Sequence, residues 1–451
     1  MREAFLMKTR RESGAADILT KATTTERLNP GRDMFELCLF DLDDTLVRTE
    51  DLQDIREGGK NDPSEKYALR LREVLATRGD RHIYSLALLN RIRVKFPNLK
   101  LGVFTRSPRS YASTVLGWAY PGFKWDVVVA YEDVKLRKPH GEGIDLAMRK
   151  FGILSNEHLP ATMLVGDNSW DIRSAYNCGC IAVLDKTAWP SARRSEHWRA
   201  MELVPDAIIT APEELLDVLA SPEGFLPELE RVVAGNVPRK GKPRFDKLGH
   251  FVAKAAGGDN TSHQIYVCGR LFAHYESVVF RQQSHELTRS IEDNKNSEIF
   301  PVEWIDTVRT FIMDQYPVFF GAVNIKVAVV PHRPERTPRL EHFLAQLEAS
   351  LLENPIAKRN VTTHPGLLAY RKGVKSQHGE HLGRDDRFIN VRDHLFVQTP
   401  EQIQPNASFL IIDDVVTTGA SLIYARKYLK DAGAINVKCL AIAKNVGDVL
   451  S

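Results

Sequence analysis

The sequence predicts an α/β protein built from two doubly wound parallel-sheet domains. Three observations carry this. Short apolar runs alternate with helical patterns along most of the chain, which implies βαβ units and sheets covered on both faces. Two of those runs end in paired carboxylates, FDLDDT at 40–45 and FLIIDDVVTTGAS at 409–421. The length of 451 residues also exceeds one core, at roughly 150 residues per domain.

Hydrophobic residues make up 43% and charged residues 26%, a globular balance that argues against disorder or a fibre. With 61 basic and 58 acidic residues the net charge is +3, too even for a nucleic-acid footprint over the whole surface. The basic clusters at Lys8–Arg11 and Arg239–Lys247 read as solvated faces or linker. Five cysteines, mostly inside apolar runs, argue against a disulfide framework or zinc site and fit a reducing cytoplasm. No run of 18 apolar residues and no signal-type core occurs, so neither secretion nor a membrane span is expected.

Four segments follow from composition. Residues 1–35 are polar and without period and read as a loose arm. Residues 36–222 alternate LCLF, helices near 65–77 and 83–95, LGVFT, DVVVA, MLVG and IAVL. Residues 223–262, rich in Pro, Gly and Lys, read as the connection. Residues 263–451 hold the strand-like QIYVCG, helical patterns through 280–313, strands at 323–330, 408–413 and 436–443, and helices at 340–353 and 420–432.

In the first domain the strand LCLF delivers Asp41 at its C-terminal end, where ligands of open α/β sheets bind. A carboxylate there can attack phosphorus, and Asp43, two residues on and on the same side if the segment stays extended, can protonate the leaving oxygen and then activate water. LGVFT ends in Thr105, RKP carries Lys138, and VGDNSWD carries Asp167 and Asp171. A hydroxyl and an ammonium neutralise phosphoryl oxygens, while clustered carboxylates require a divalent cation. Alone, FDLDDT is also readable as a strand end with a polar turn; four elements in order are not. Asp44 reads as structural or capping, and Arg106 equally as a solvated turn residue.

This set resembles the haloacid dehalogenase (HAD) superfamily of phosphatases over about 185 residues. The resemblance implies a HAD-like Rossmannoid fold, Asp41 as nucleophile, Asp43 as acid/base, Thr105 and Lys138 on phosphate, and Mg2+ held by Asp41, Asp43, Asp167 and Asp171. Only about 60 residues separate Thr45 from Thr105, so the cap expected there is small and the site open.

In the second domain, backbone N–H groups at Thr417, Thr418, Gly419 and Ser421, with the following helix N-terminus, can cradle a phosphate, and Gly419 allows close approach. Asp413 and Asp414 are placed to accept ribose hydroxyls and to stabilise charge at the anomeric carbon. A strand–turn–helix with acidic capping is the plain alternative. The stretch resembles the phosphoribosyl-pyrophosphate (PRPP) motif of type I phosphoribosyltransferases, and 329–347 and 370–396 are similar to the pyrophosphate loop and hood of the competence-protein-F-like branch. There Arg336 and Arg339 would face pyrophosphate, and Arg371, Gln377, Arg387 and Asn390 occupy the hood positions; singly, each arginine is equally a surface residue. Arg339–His342 replaces the branch's Arg-Gly-Phe-Asn, and the hood is about two residues longer.

The implied function is a bifunctional cytoplasmic enzyme of nucleotide or ribose-phosphate metabolism, acting on PRPP, sugar phosphates or nucleotides, without nucleic acid. A PRPP sensor gating the phosphatase or a stress or defence partner is the alternative, and a nucleotide-depleting effector a weaker third. A homo-oligomer or an operon partner stays open.

Overall fold

The computed structural model describes residues 34–60, 62–153, 161–191, 195–253, 261–319, 321–375 and 383–451. The arm expected over 1–35 and the hood residue Gln377 lie outside or almost wholly outside them. Among the described residues fifteen strands are formed: β1 Leu37–Phe40, β2 Lys100–Phe104, β3 Val127–Val129, β4 Thr162–Gly166, β5 Ile181–Asp185, β6 Ala207–Ile209, β7 Asp246–Val252, β8 Ser262–Val267, β9 Arg270–Phe272, β10 Val323–Val329, β11 Arg359–Thr363, β12 Leu368–Tyr370, β13 Leu395–Val397, β14 Ser408–Val416 and β15 Asn436–Val446.

The first sheet is six-stranded in the order β3-β2-β1-β4-β5-β6, and every pairing is parallel. Its strands are apolar on both faces, as burial on both sides demands: Leu37–Phe40 and Met163–Val165 are all fully buried. The order reverses between β1 and β4. Chain leaving β1 runs outward through β2 to β3, and chain leaving β4 runs the other way, so a crevice opens between their C-terminal ends.

The second sheet follows the same logic with one difference. Its order is β11-β10-β14-β15-β8-β7, with β9 also on β15, and β7 is antiparallel to β8. The sheet is therefore mixed, not parallel throughout as the sequence predicts. The cause is local: β7 reaches β8 across a connection too short for a crossover helix, which forces a reversal. Residues 223–262, read as a linker, thus contain the helix Glu228–Val233 and strand β7. The reversal of order falls between β10 and β14, whose neighbours β11 and β15 lie on opposite sides. A two-stranded antiparallel β12–β13 ladder and the helix Arg384–His394 stand beside it.

Residues Phe35–Ser451 form one compact unit. Phe272, Val278, Val446 and Val449 from the second half share a buried cluster with Tyr176, Ile172 and Ala200 of the first, and the Tyr176 and Phe272 rings meet edge to face at 5.2 Å. No helix among the described residues is long and apolar enough to cross a membrane.

Candidate active site at the two sheet crevices

Both crevices receive carboxylates from a strand that flanks them. In the first half β1 ends at Phe40 and β4 at Gly166, so Asp41 and Asp167 are the next residues on adjacent strands. The helix Ser169–Cys178 starts at once. Asn168 caps it by accepting the Trp170 amide at 2.8 Å, and Asp171 in its first turn turns back toward the strand ends. Gly166 is required here, because a Cβ would lie 2.2 Å from the Asp171 carboxyl.

Asp41, Asp167 and Asp171 offer oxygens within 4.8 Å of one another. Lys138 Nζ donates to Asp41 at 2.7 Å and to Asp171 at 2.6 Å, with the Phe104 ring 4.8 Å away. Lys138, Asp171 and Asp41 are all nearly inaccessible, and Thr105 beside them is buried. Burial pushes the Asp41 carboxyl up to about 7, opposed by the Lys138 ammonium and reinforced by Asp171. Burial also lifts Asp167 well above the usual carboxylate range, with Asp171 and Asp41 adding to it. Burial works against the Lys138 ammonium, but Asp171 and Asp41 outweigh it and its pKa is raised.

Three carboxylates and one ammonium leave a charge near −2 when ionised, and each like pair at about 5 Å repels by roughly 3 kcal/mol at an effective dielectric of about 20. An all-oxygen donor set with that surplus fits a hard divalent cation such as Mg2+ and offers nothing to a soft one. Asp41, Asp167 and Asp171 would hold it.

Asp43 is not part of that cluster. Its oxygens accept Ser107 Oγ at 2.5 Å, Thr49 Oγ1 at 2.7 Å and Tyr111 OH at 3.0 Å, with Arg56 3.6 Å away. Just after Asp43 the chain turns at Asp44, whose φ is +55°. Asp44 accepts the Thr49 amide and closes that turn. Thr49, Ser107 and Tyr111 escaped the sequence reading; the TRS spacing that places Ser107 two residues after Thr105 was the available signal. The described residues between Thr49 and Ser85 form short helices, of which Glu65–Leu75 packs on Arg109–Ala119.

In the second half β14 continues through Asp413 and Asp414 to Val416, longer than its apolar run because Val415 and Val416 keep pairing with β15. The end of β10 lies alongside, with the Val330 amide on the Ile412 carbonyl at 2.8 Å. Burial raises the Asp413 carboxyl well above its ordinary range, the Asp414 charge adding and Arg333 opposing. Gly419 opens the helix Ala420–Asp431 at φ +79°, where a Cβ would meet the Phe251 ring at 2.8 Å. Tyr370 OH reaches Ser421 Oγ at 3.4 Å.

The arginines divide. Arg339 Nη1 binds Asp414 at 2.5 Å, and its guanidinium lies 5.1 Å from the Phe300 ring. The Arg336 side chain is exposed without a partner among the described residues, and Arg371 is exposed, 5.5 Å from the Phe396 ring. Asn390 holds both backbone polar groups of Lys375, shaping the hood segment. Glu341 accepts the His332 amide at 2.9 Å and its ring at 2.8 Å, tying down the loop that follows β10. Thr417 and Thr418 line a cavity of about 680 Å3 with Trp198, Arg199 and Glu202 of the first half, so the halves share a wall beside the phosphate-type loop.

The first half is thus an all-parallel α/β domain whose switch point gathers three carboxylates and a lysine. Residues 87–184 match the family model of haloacid dehalogenase-like hydrolases. Over 95 residues the chain is 33% identical to pyrophosphatase PpaX of Halalkalibacterium halodurans, covering 21% of this chain and 40% of that protein. Over 135 residues it is 29% identical to a phosphoglycolate phosphatase of Photorhabdus laumondii, covering 29% and 52%. The chain thus spans about half or less of these curated relatives. A HAD-superfamily hydrolase structure from Geobacter sulfurreducens aligns over 42% of this chain and 97% of its own, at 16% identity and a TM-score of 0.28.

Proposed function

We propose that the chain is a bifunctional enzyme of nucleotide or ribose-phosphate metabolism, whose first half is a Mg2+-dependent phosphatase and whose second half transfers a phosphoribosyl group from PRPP. The observation that carries the phosphatase reading is Asp41 at the β1/β4 crevice, 2.7 Å from a buried Lys138. Asp41 attacks phosphorus and the bond to the leaving oxygen breaks, giving an aspartyl phosphate. Asp43 gives its proton to that oxygen and later takes one from the water that hydrolyses the acyl phosphate. Lys138 and Thr105 neutralise phosphoryl oxygens. Mg2+, when bound, supplies charge neutralisation between the carboxylates and the phosphate. Phosphate release from a panel of sugar phosphates and nucleotides, with Mg2+ and with EDTA, tests this half; no release from any of them sinks it.

For the second half the support is Asp413 and Asp414 at the β10/β14 crevice above a Gly419 loop and helix N-terminus. As pyrophosphate departs with its bonding electrons, the carboxylates stabilise the oxocarbenium charge. Asp413→Asn is expected to lower pyrophosphate exchange into PRPP roughly 100-fold or more, the scale of losing one electrostatic group at a charged transition state. Exchange at the wild-type rate overturns it.

One observation favours a second reading, in which the domain binds PRPP without turnover and gates the phosphatase. Arg339 occupies Asp414 instead of standing free, and Glu341 sets a carboxylate at the loop that would receive pyrophosphate. Calorimetry that finds tight binding with the ligand recovered intact decides for the sensor; consumption of ligand decides against it.

A further inference from the structure

We infer that Trp170 and Arg106 form a stacking platform at the mouth of the first site, which selects nucleoside monophosphates over plain sugar phosphates. The inference rests on the phosphatase reading and adds its substrate class. Trp170 adjoins Asp171 in the first turn of its helix, and its side chain is 40% exposed. Arg106 directly follows Thr105, is exposed, and pairs with no carboxylate among the described residues; its guanidinium lies 4.7 Å from the centre of the Trp170 ring. Both residues are therefore chain neighbours of groups placed at the phosphate, and both are exposed.

The second cation at that ring behaves differently. Arg173 lies 5.6 Å from the ring centre but is anchored on the carbonyls of Val449 and Ser451. Among the described residues Arg106 has no such anchor, so it is the group that can leave. A stacked nucleobase gains more from an indole than an exposed guanidinium does. The base then takes the ring, and Arg106 turns its planar donors to an anionic or carbonyl oxygen of the substrate. A sugar phosphate has no flat group for the ring. A nucleoside monophosphate is also what phosphoribosyl transfer to a base produces, so the second half could supply the first.

The test compares kcat/KM for adenosine, guanosine, cytidine and uridine 5′-monophosphates with that for ribose 5-phosphate. Wild type is expected to favour at least one nucleotide. Trp170→Ala is expected to lower the nucleotide-to-ribose-5-phosphate ratio roughly ten-fold or more, mainly through KM, and Trp170→Phe to restore most of it. A preference for ribose 5-phosphate in wild type, or an equal change for both substrates in Trp170→Ala, overturns the platform while leaving the phosphatase intact. Should no substrate release phosphate, calorimetry of the same nucleotides with the Asp41→Asn protein, with and without Trp170→Ala, still decides. Binding weakened by Trp170→Ala supports the platform, and absent or unchanged binding refutes it.

Discussion

Asp41→Asn is expected to lower Mg2+-dependent phosphate release roughly 10⁴-fold or more, the scale of removing a covalent nucleophile, while the folded state stays as stable or becomes more so. The two halves of this expectation have one origin. Asp41 lies with Asp167 and Asp171 inside 4.8 Å, with Lys138 the one cation bonded to them among the described residues. An amide keeps the shape and removes one charge, so repulsion falls where Lys138 still has Asp171. Sites that store repulsion for function gain stability when they are disarmed. Mg2+ is correspondingly expected to raise the melting temperature of wild type, because it binds only the folded cluster, and to raise that of Asp41→Asn less. Thermal melts at increasing Mg2+ together with phosphate assays check both parts. A variant that keeps more than about a tenth of wild-type release would remove Asp41 from the role of nucleophile.

How much of this was legible beforehand depends on the range of the physics. Asp41, Thr105, Lys138 and Asp167 could be read because each ends a strand or opens a turn, and the chain order of a doubly wound sheet brings such ends together. The helices at Glu65–Leu75, Leu86–Lys95 and Arg339–Glu353 fall within a few residues of their sequence periods. Thr49, Ser107 and Tyr111, the partners of Asp43, reach it across a turn and from other elements, and no local period encodes them. Strand β7 was hidden in a segment whose Pro, Gly and Lys spoke for a linker; its role as antiparallel edge comes from tertiary pairing with β8. The Arg339–Asp414 contact joins residues 75 apart, and no local pattern encodes it.

The joint between the halves was the least legible part and carries the second large prediction. Arg270, fully buried, lies against Glu230 through paired contacts, against Asp206 at 2.9 Å and against Tyr176 OH at 2.7 Å. Arg281 binds the other Asp206 oxygen, and His285 Nε2 lies 3.2 Å from Glu230. Asp206 and Tyr176 come from the first half, Arg270, Arg281 and His285 from the second. Two guanidinium groups and two carboxylates balance, so His285 is best accommodated neutral. Glu230→Gln is expected to destabilise the protein by about 3–5 kcal/mol, because it leaves a buried guanidinium short of its partner. Glu230→Leu combined with Arg270→Met is expected to recover much of that loss, since the remaining Asp206–Arg281 pair stays matched.

The same groups fix the sign of the pH dependence. Burial opposes charge on Glu230, but Arg270 prevails, with a hydrogen bond from His285 beside it, and holds its carboxyl below the ordinary range; Arg281 and Arg270 do the same for Asp206 against burial. Burial lowers His285 despite Glu230. For the carboxylates the native state binds protons less readily than the unfolded chain, so their contribution is full above the unfolded values of 4.5 and 3.8 and is lost as pH falls below them. His285 acts in the same direction earlier, since the unfolded imidazole takes up its proton first as pH drops through 6.5. Asp41, Asp167 and Asp413, whose carboxyls are raised, act in the opposite direction but are common to both proteins, so the sign is read from the difference: the urea midpoint of wild type relative to the Glu230→Leu/Arg270→Met protein should fall as pH drops below 4.5. Because the knot ties both sheets, wild type should unfold in one transition seen alike by tryptophan fluorescence and far-UV dichroism. Two separated transitions, or a double variant no better than Glu230→Gln, would show that the buried charges do not hold the halves together.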